Sequence, residues 1–314
     1  MLLVNVDKKC NIMVSRLIQR DINGKIFSID NLSSDLSKVK SSEYFNPTLE
    51  KQKPFKGIKV AIVDTGVNYN LDFIADKISR IDESNLTGYD FEDDDSLPYD
   101  IDTGRSIFFP MHHGTSVSSI ILREAPMSEL VVYRFPRSEM CKFENLIEHI
   151  SVNKIKIVNL SMGSVNKDDW QCFYKAAKSN KNILFFVSAG NDGKNIDFEK
   201  IYPASFDLEN IIVVTSSDIS GNLAQGSNFG SVSVDFLIQG EQIPVIDHRG
   251  VKTNASGSSF AVPRAVAMAI RILSNNTNAN ILDIKSKLIS RAIRSNEKVK
   301  YGWIPDPLDN YLLN

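Results

Sequence analysis

Residues 58–66 read IKVAIVDTG: six residues that are almost all apolar and β-branched, then aspartate, threonine and glycine. An apolar run without strict alternation fits a strand covered on both faces. Outward along the chain the same kind of run returns at LVVYRF (130–135), IKIVNLS (155–161), NILFFVSA (182–189) and IIVVTSS (211–217). Between these runs, HGTSVSSIIL (113–122), FENLIEHISV (143–152) and WQCFYKAAKSN (170–180) carry helical spacing, with Phe143, Ile147 and Ile150 on one face. The alternation predicts an α/β domain, a doubly wound, mostly parallel sheet with helices on both faces. Sheets of this kind collect ligands and catalytic groups at the carboxyl ends of their strands.

Composition narrows the partners. The chain has 314 residues, 42% hydrophobic and 24% charged, which is the balance of a globular domain and argues against a disordered or a membrane protein. A formal charge of −2 gives no general attraction to nucleic acid or anionic lipid, so neither is expected as a partner. Cys10, Cys141 and Cys172 are odd in number and widely spaced, with no CxxC pair; free thiols are expected, not a disulfide framework or a zinc site. The opening MLLVNVDKKCNIMV (1–14) interrupts its apolar start with Asp7, Lys8 and Lys9, unlike a secretory signal. No apolar run approaches the roughly 20 residues that cross a bilayer. A cytoplasmic, reducing compartment is the resulting expectation.

Three segments emerge. Residues 1–55 form a small N-terminal element that ends in the connection FNPTLEKQKPFKG (45–57). Residues 56–294 hold the α/β domain, closed by the apolar helix AVPRAVAMAIRIL (261–273) and the amphipathic ILDIKSKLISRAI (281–293). Residues 295–314 read as a tail laid over the surface.

At the strand ends, IKVAIV delivers Asp64, NILFFVSA delivers Asn191 in GNDG, and His113 opens the helix HGTSVSSIIL. Singly, each has an ordinary reading: a turn-forming aspartate, a helix-capping histidine, an asparagine before an Asp-Gly turn. Jointly, with the serine pair in NASGSSFAVPRA (254–265), they supply an acid, a base, an amide donor and a hydroxyl. A serine hydroxyl becomes nucleophilic when a histidine takes its proton, and a carboxylate fixes that histidine's tautomer. An amide donor stabilises the oxyanion of the tetrahedral intermediate. The chain order Asp, His, Ser is one of the known triad orders, that of subtilisin.

On these motifs the chain resembles the subtilisin-like serine proteases, the subtilases of peptidase family S8. Asp64 in VAIVDTG, His113 in HGTSV, Asn191 in SAGNDG and the serine in SGSSFAVP match family motifs in the family's order. Weaker matches are GYDFEDDDSLPYD (88–100), NLSMGS (159–164), YPAS (202–205) and SNFGSVSVDFLIQGEQI (227–243). The resemblance implies Asp64 as orienter, His113 as general base and then acid, and Asn191 as the oxyanion side chain. Gly257-Ser258 stands where the family has Gly-Thr, which makes Ser259 the nucleophile and Ser258 its structural neighbour. The Ser259 N–H is expected as a second oxyanion donor, and Pro263 is expected in the first turn of its helix. Ser161, Met162 and Gly163 resemble the strand that pairs with an extended polypeptide substrate, and Ala189-Gly190 the opposite wall of the specificity pocket.

The chain also departs from the family. Residues 1–55 do not match a family propeptide and are read as a stabilising flank, an inhibitory strap or a divergent propeptide. Phe260 stands where many members carry methionine, and TGRSIFFPM (103–111) is unusually apolar, either a substrate-facing lip or a packing surface. No cofactor is required by the chemistry. The family's calcium binding makes Glu92, Asp93, Asp94, Asp95, Asp100 and Asp102 possible ligands, with a solvated acidic loop as the plainer reading. Function is read as a serine endopeptidase, with a dedicated leader-peptide protease or a catalytically silent peptide binder as alternatives.

Overall fold

A computed structural model of the chain describes residues 1–295 and 298–305. The first strands, β1 (Leu2–Val6), β2 (Ile12–Arg20), β3 (Ile26–Leu32) and β4 (Val39–Tyr44), form an antiparallel sheet in that order. Little of this sheet is buried within itself, since β1 and β4 are mostly exposed. Its core of Ile18, Ile29 and Phe45 is completed from the next domain by Ile101, with Tyr99, Ile107 and Phe108 packed around it. Ile107 and Phe108 of the apolar TGRSIFFPM stretch thus pack under this sheet, and the exposed Phe109 ring lies 4.5 Å from the Arg16 guanidinium. The connection that follows runs over the surface: Tyr69 Oη donates to the Pro47 carbonyl (2.7 Å), and the Gln52 N–H to the Glu83 carbonyl (3.0 Å).

The second domain contains β5 (Ile58–Asp64), α1 (Asp72–Ala75), β6 (Tyr89–Asp90), α2 (Gly114–Glu124), β7 (Ser128–Arg134), α3 (Phe143–Val152) and β8 (Ile157–Leu160). It continues with α4 (Gln171–Ser179), β9 (Leu184–Ser188), β10 (Ile211–Ser217), β11 (Phe236–Gln239), the hairpin β12 (Ile243–Ile246) and β13 (Lys252–Ala255), α5 (Ser258–Asn275), α6 (Ile281–Arg291) and β14 (Gly302–Ile304). Among the described residues, eight strands form one sheet in the order β14-β11-β10-β9-β8-β5-β7-β6, and every pairing in it is parallel. Every residue of β7, β8, β9 and β10 is buried, which is why their sequences lack alternation. Helices α2, α5 and α6 cover one face, through residues such as Ile121, Val266 and Ile284. Helices α3 and α4 cover the other, through Phe143, Ile150 and Phe173. The expected doubly wound α/β fold is therefore the observed one.

Two expectations need correcting. Residues 302–304 are not part of a surface tail; they form β14, an edge strand paired with β11, and Gly302 and Ile304 are buried. Of the expected tail, residues 296–297 and 306–314 lie outside the described residues. Cys141 and Cys172 are not free thiols: a 3-10 turn at Met140–Lys142 sets the first against α4, and the two form a disulfide. Cys10 is free and exposed.

Candidate active site

The chain winds from β5 toward β7 and β6 on one side and from β8 toward β9 and β10 on the other, and this reversal between β5 and β8 opens a crevice at their carboxyl ends. Asp64, the last residue of β5, sits there at 5% exposure. His113 precedes α2, yet its side chain makes no capping bond. Its Nδ1 lies 2.8 and 2.9 Å from the two Asp64 carboxylate oxygens. The capping work falls to Asp100, whose carboxylate accepts the backbone N–H groups of His113 (3.0 Å) and Thr115 (2.9 Å) and the Thr65 hydroxyl. The approach of α2 to β5 requires glycine at 114, where a Cβ would lie 2.0 Å from the Gly66 carbonyl. Burial drives the His113 pKa down; the adjacent Asp64 carboxylate outweighs it and holds the imidazole above its ordinary value of 6.5.

The serine pair opens α5. Gly257, at φ 132°, turns the chain into the helix beneath the Asn191 side chain, where a Cβ would lie 3.4 Å from the amide. Asn191 Oδ1 accepts the Ser258 N–H at 2.8 Å, which leaves Nδ2 as the donor end of that amide. The Phe260 N–H donates to the Gly257 carbonyl. The Ser259 N–H has no partner among the described residues, as a helix N-terminus allows. Ser258 is fully buried and Ser259 half-buried. The Phe260 ring lies 5.3 Å from the His113 ring, so α5 and α2 meet at this point. The described residues show no hydrogen bond between His113 Nε2 and Ser259 Oγ.

Pro263 sits one turn further into α5 than expected. A proline has no N–H for the carbonyl four residues back, here that of Ser259. Ser161 fills the vacancy: its hydroxyl donates to the Ser259 carbonyl at 3.3 Å and receives the Asn159 amide at 3.1 Å. Ser161 therefore supports the backbone of the Ser259 turn, a role that the sequence did not announce. Past the end of β8, the backbones of Met162 and Gly163 take no part in the loop hydrogen bonds of the described residues. Ala189 is buried, its N–H donating to the Val214 carbonyl and its own carbonyl accepting Asn228 Nδ2 at 2.8 Å; Gly190 is half-buried beside it.

The aspartates of the acidic run are shared among four cations. Asp90 and Asp93 pair with Arg134 at 2.9 Å, Asp93 and Asp95 face Lys25, Asp94 meets Lys142, and Asp102 lies 3.8 Å from Arg137. Asp100 holds the α2 turn, so each of these aspartates has a protein cation or N–H groups as partner.

The chain belongs to the subtilase family, whose model matches residues 55–303. It is 26% identical over 246 residues to the thermophilic serine proteinase of Bacillus sp. (strain AK1), covering 72% of this chain and 54% of that protein. It is 28% identical over 239 residues to thermitase of Thermoactinomyces vulgaris, covering 71% of this chain and 77% of that protein. The chain thus spans about half the length of the first of these relatives. The structure of a cold adapted subtilisin-like serine proteinase superposes with a TM-score of 0.64 at 22% identity, covering 81% of this chain and 94% of that one. A mutant of the epidermin leader peptide processing serine protease from Staphylococcus aureus gives 0.66 at 18% identity, covering 93% of this chain and 88% of that one.

Proposed function

We propose that the chain is a serine endopeptidase that hydrolyses extended polypeptides through Asp64, His113 and Ser259. The observation that carries this reading is the double contact of His113 Nδ1 with the buried Asp64 carboxylate. In that arrangement Nδ1–H donates to Asp64 and Nε2 is left basic, free to take the Ser259 proton as Oγ attacks the scissile carbonyl. Asn191 Nδ2 and the Ser259 N–H supply the two donors for the oxyanion. The imidazolium then protonates the leaving amine, and the acyl-enzyme is hydrolysed by a water that His113 deprotonates. The unused backbone of Met162 and Gly163 suits a substrate that adds as a strand. The reaction so written needs no cofactor. Ser259→Ala is expected to lower turnover by about 10⁶, a magnitude taken from subtilisin, while Ser258→Ala retains most of the activity. Peptide cleavage by purified Ser259→Ala at the wild-type rate would refute the assignment.

A narrower reading, a dedicated leader-peptide protease, is favoured by one observation. The likeness to the epidermin leader peptide processing protease covers 93% of the chain, more than residues 56–314 alone supply, and so reaches into the N-terminal sheet. Substrate profiling separates the two: a processing enzyme cuts few sequences, a degradative one many. A silent peptide binder is disfavoured because every triad position carries a competent side chain. On location, the Cys141–Cys172 disulfide argues for an oxidising compartment and against the cytoplasmic expectation. No described helix is long and apolar enough to cross a membrane. Of the three readings of residues 1–55, a stabilising flank agrees best with a connection that runs over the surface of residues 69–83.

A further inference from the structure

His112 and His113 are neighbours in sequence and face opposite ways. His113 turns to Asp64, while His112 turns toward the N-terminal sheet. There it meets Glu43 of β4 and His248 from the turn between β12 and β13. Among the described residues, this is the grouping of three metal-ligating side chains whose donor atoms all lie within 4.8 Å of one another, each residue half-buried.

The local chemistry is that of a prepared ligand set. The His112 Nδ1–H donates to the Asp100 carbonyl, which orients the ring and points Nε2 at Glu43. A backbone carbonyl on the far nitrogen is the usual support of a metal-bound histidine. His112 Nε2 lies 2.7 Å from Glu43 Oε1, a spacing that a proton on the ring bridges as an ion pair. A metal ion would take the place of that proton between the imidazole nitrogen and the carboxylate oxygen. The His248 ring stacks on His112 at 3.6 Å and 16°, and its backbone carbonyl is held by Asn68 Nδ2 at 2.7 Å. The three side chains line a cavity of about 620 Å³ that leaves room for a further ligand. The two arginines on its wall are engaged elsewhere: Arg16 with the Phe108 carbonyl and the Phe109 ring, Arg249 with Asp247.

We propose that Glu43, His112 and His248 bind one divalent cation of the zinc class, with an open fourth position facing the cavity. Two imidazoles and one carboxylate suit such an ion and are a poor set for calcium or magnesium, which take oxygen ligands. Bond lengths of about 2.0–2.2 Å need donor atoms roughly 3.3 Å apart in a tetrahedral arrangement, and side-chain rotation brings a set already within 4.8 Å to that spacing. The ion ties the N-terminal sheet to the residue adjoining His113, so it fastens that sheet to the rim of the candidate active site. The proposal stands independently of the role assigned to Ser259.

The test uses the full chain, stripped with a chelator and titrated with Zn²⁺ by calorimetry and by competition with a chromophoric chelator. One Zn²⁺ per chain is expected, with a rise in melting temperature, and Glu43→Gln and His248→Ala should each weaken binding at least tenfold. Zn²⁺ affinity unchanged in both variants, or no binding by the wild type, overturns the site. Should the variants not fold, Co²⁺ bound to a Cys10→Ser chain decides: visible bands of four-coordinate cobalt support the site, and their absence rejects it.

Discussion

The two larger sheets among the described residues solve burial in opposite ways. The eight-stranded parallel sheet is covered on both faces, and its central strands β7 to β10 expose almost nothing. The four-stranded antiparallel sheet leaves β4 largely in solvent and completes its small core with residues from the 99–108 segment of its neighbour. One sheet generates a crevice at its strand ends, and the domain built on it supplies every group of the proposed reaction. The other supplies none, yet reaches the same turn through Glu43 and His112. The difference separates chemistry from support, and substitutions in the two regions should divide accordingly.

After the loss of Ser259 itself, the largest effect is expected at Asp64, the end of the large sheet. Asp64→Asn should reduce kcat by about 10⁴, the size seen when other triads lose this carboxylate. Catalysis needs His113 neutral, and its folded pKa is raised above 6.5, so wild-type activity should rise with pH through a midpoint above that value. Removing the carboxylate should move this acidic limb downward, and an unmoved limb in the variant would dissociate Asp64 from His113. Next in size is the disulfide on the helical face of the same sheet. Cys172→Ser should cost about 3–4 kcal/mol of stability by loop-closure entropy across a separation of 31 residues, read from denaturant unfolding.

The small sheet should respond differently. Ile29→Ala removes a side chain only 1% exposed from a small core, and should cost about 2 kcal/mol of its docking with peptide cleavage kept within a few-fold. Loss of cleavage with the large domain still folded would break the division between the sheets. The smallest effect belongs to Ser161→Ala, which strips the Ser259 carbonyl of its donor. A loss of about 1 kcal/mol, up to tenfold in kcat with KM little changed, is expected. A change in KM alone would return Ser161 to the substrate-contact role read from the sequence.

What was legible follows from the same physics. The strands β5, β7, β8, β9 and β10 announced themselves because burial on both faces makes continuous apolar runs. Strands β6 and β14, of two and three residues, are too short to carry any period. In β4, VKSSEY is too polar to show which face is dry. Asp64, His113 and Asn191 were legible because each sits in a short local motif at a strand or helix end. Asp100 was hidden in an acidic stretch, where charge suggested solvent or calcium and the structure shows a buried cap. Glu43 and His248 lie far from His112 in the chain: docking of the small sheet brings the first to it, and the turn between β12 and β13 the second. The support that Ser161 gives Ser259 depends on the carbonyl vacated by Pro263, which no spacing in the sequence displays.

The central claim is that Ser259, and not its buried neighbour Ser258, is the nucleophile. Reaction with a fluorophosphonate probe, followed by mapping of the modified residue by mass spectrometry, tests it most directly. The expected result is a single adduct on Ser259, absent in Ser259→Ala, strongly reduced in His113→Ala and retained in Ser258→Ala. An adduct on Ser258, or a folded wild-type chain that takes no label, would contradict it.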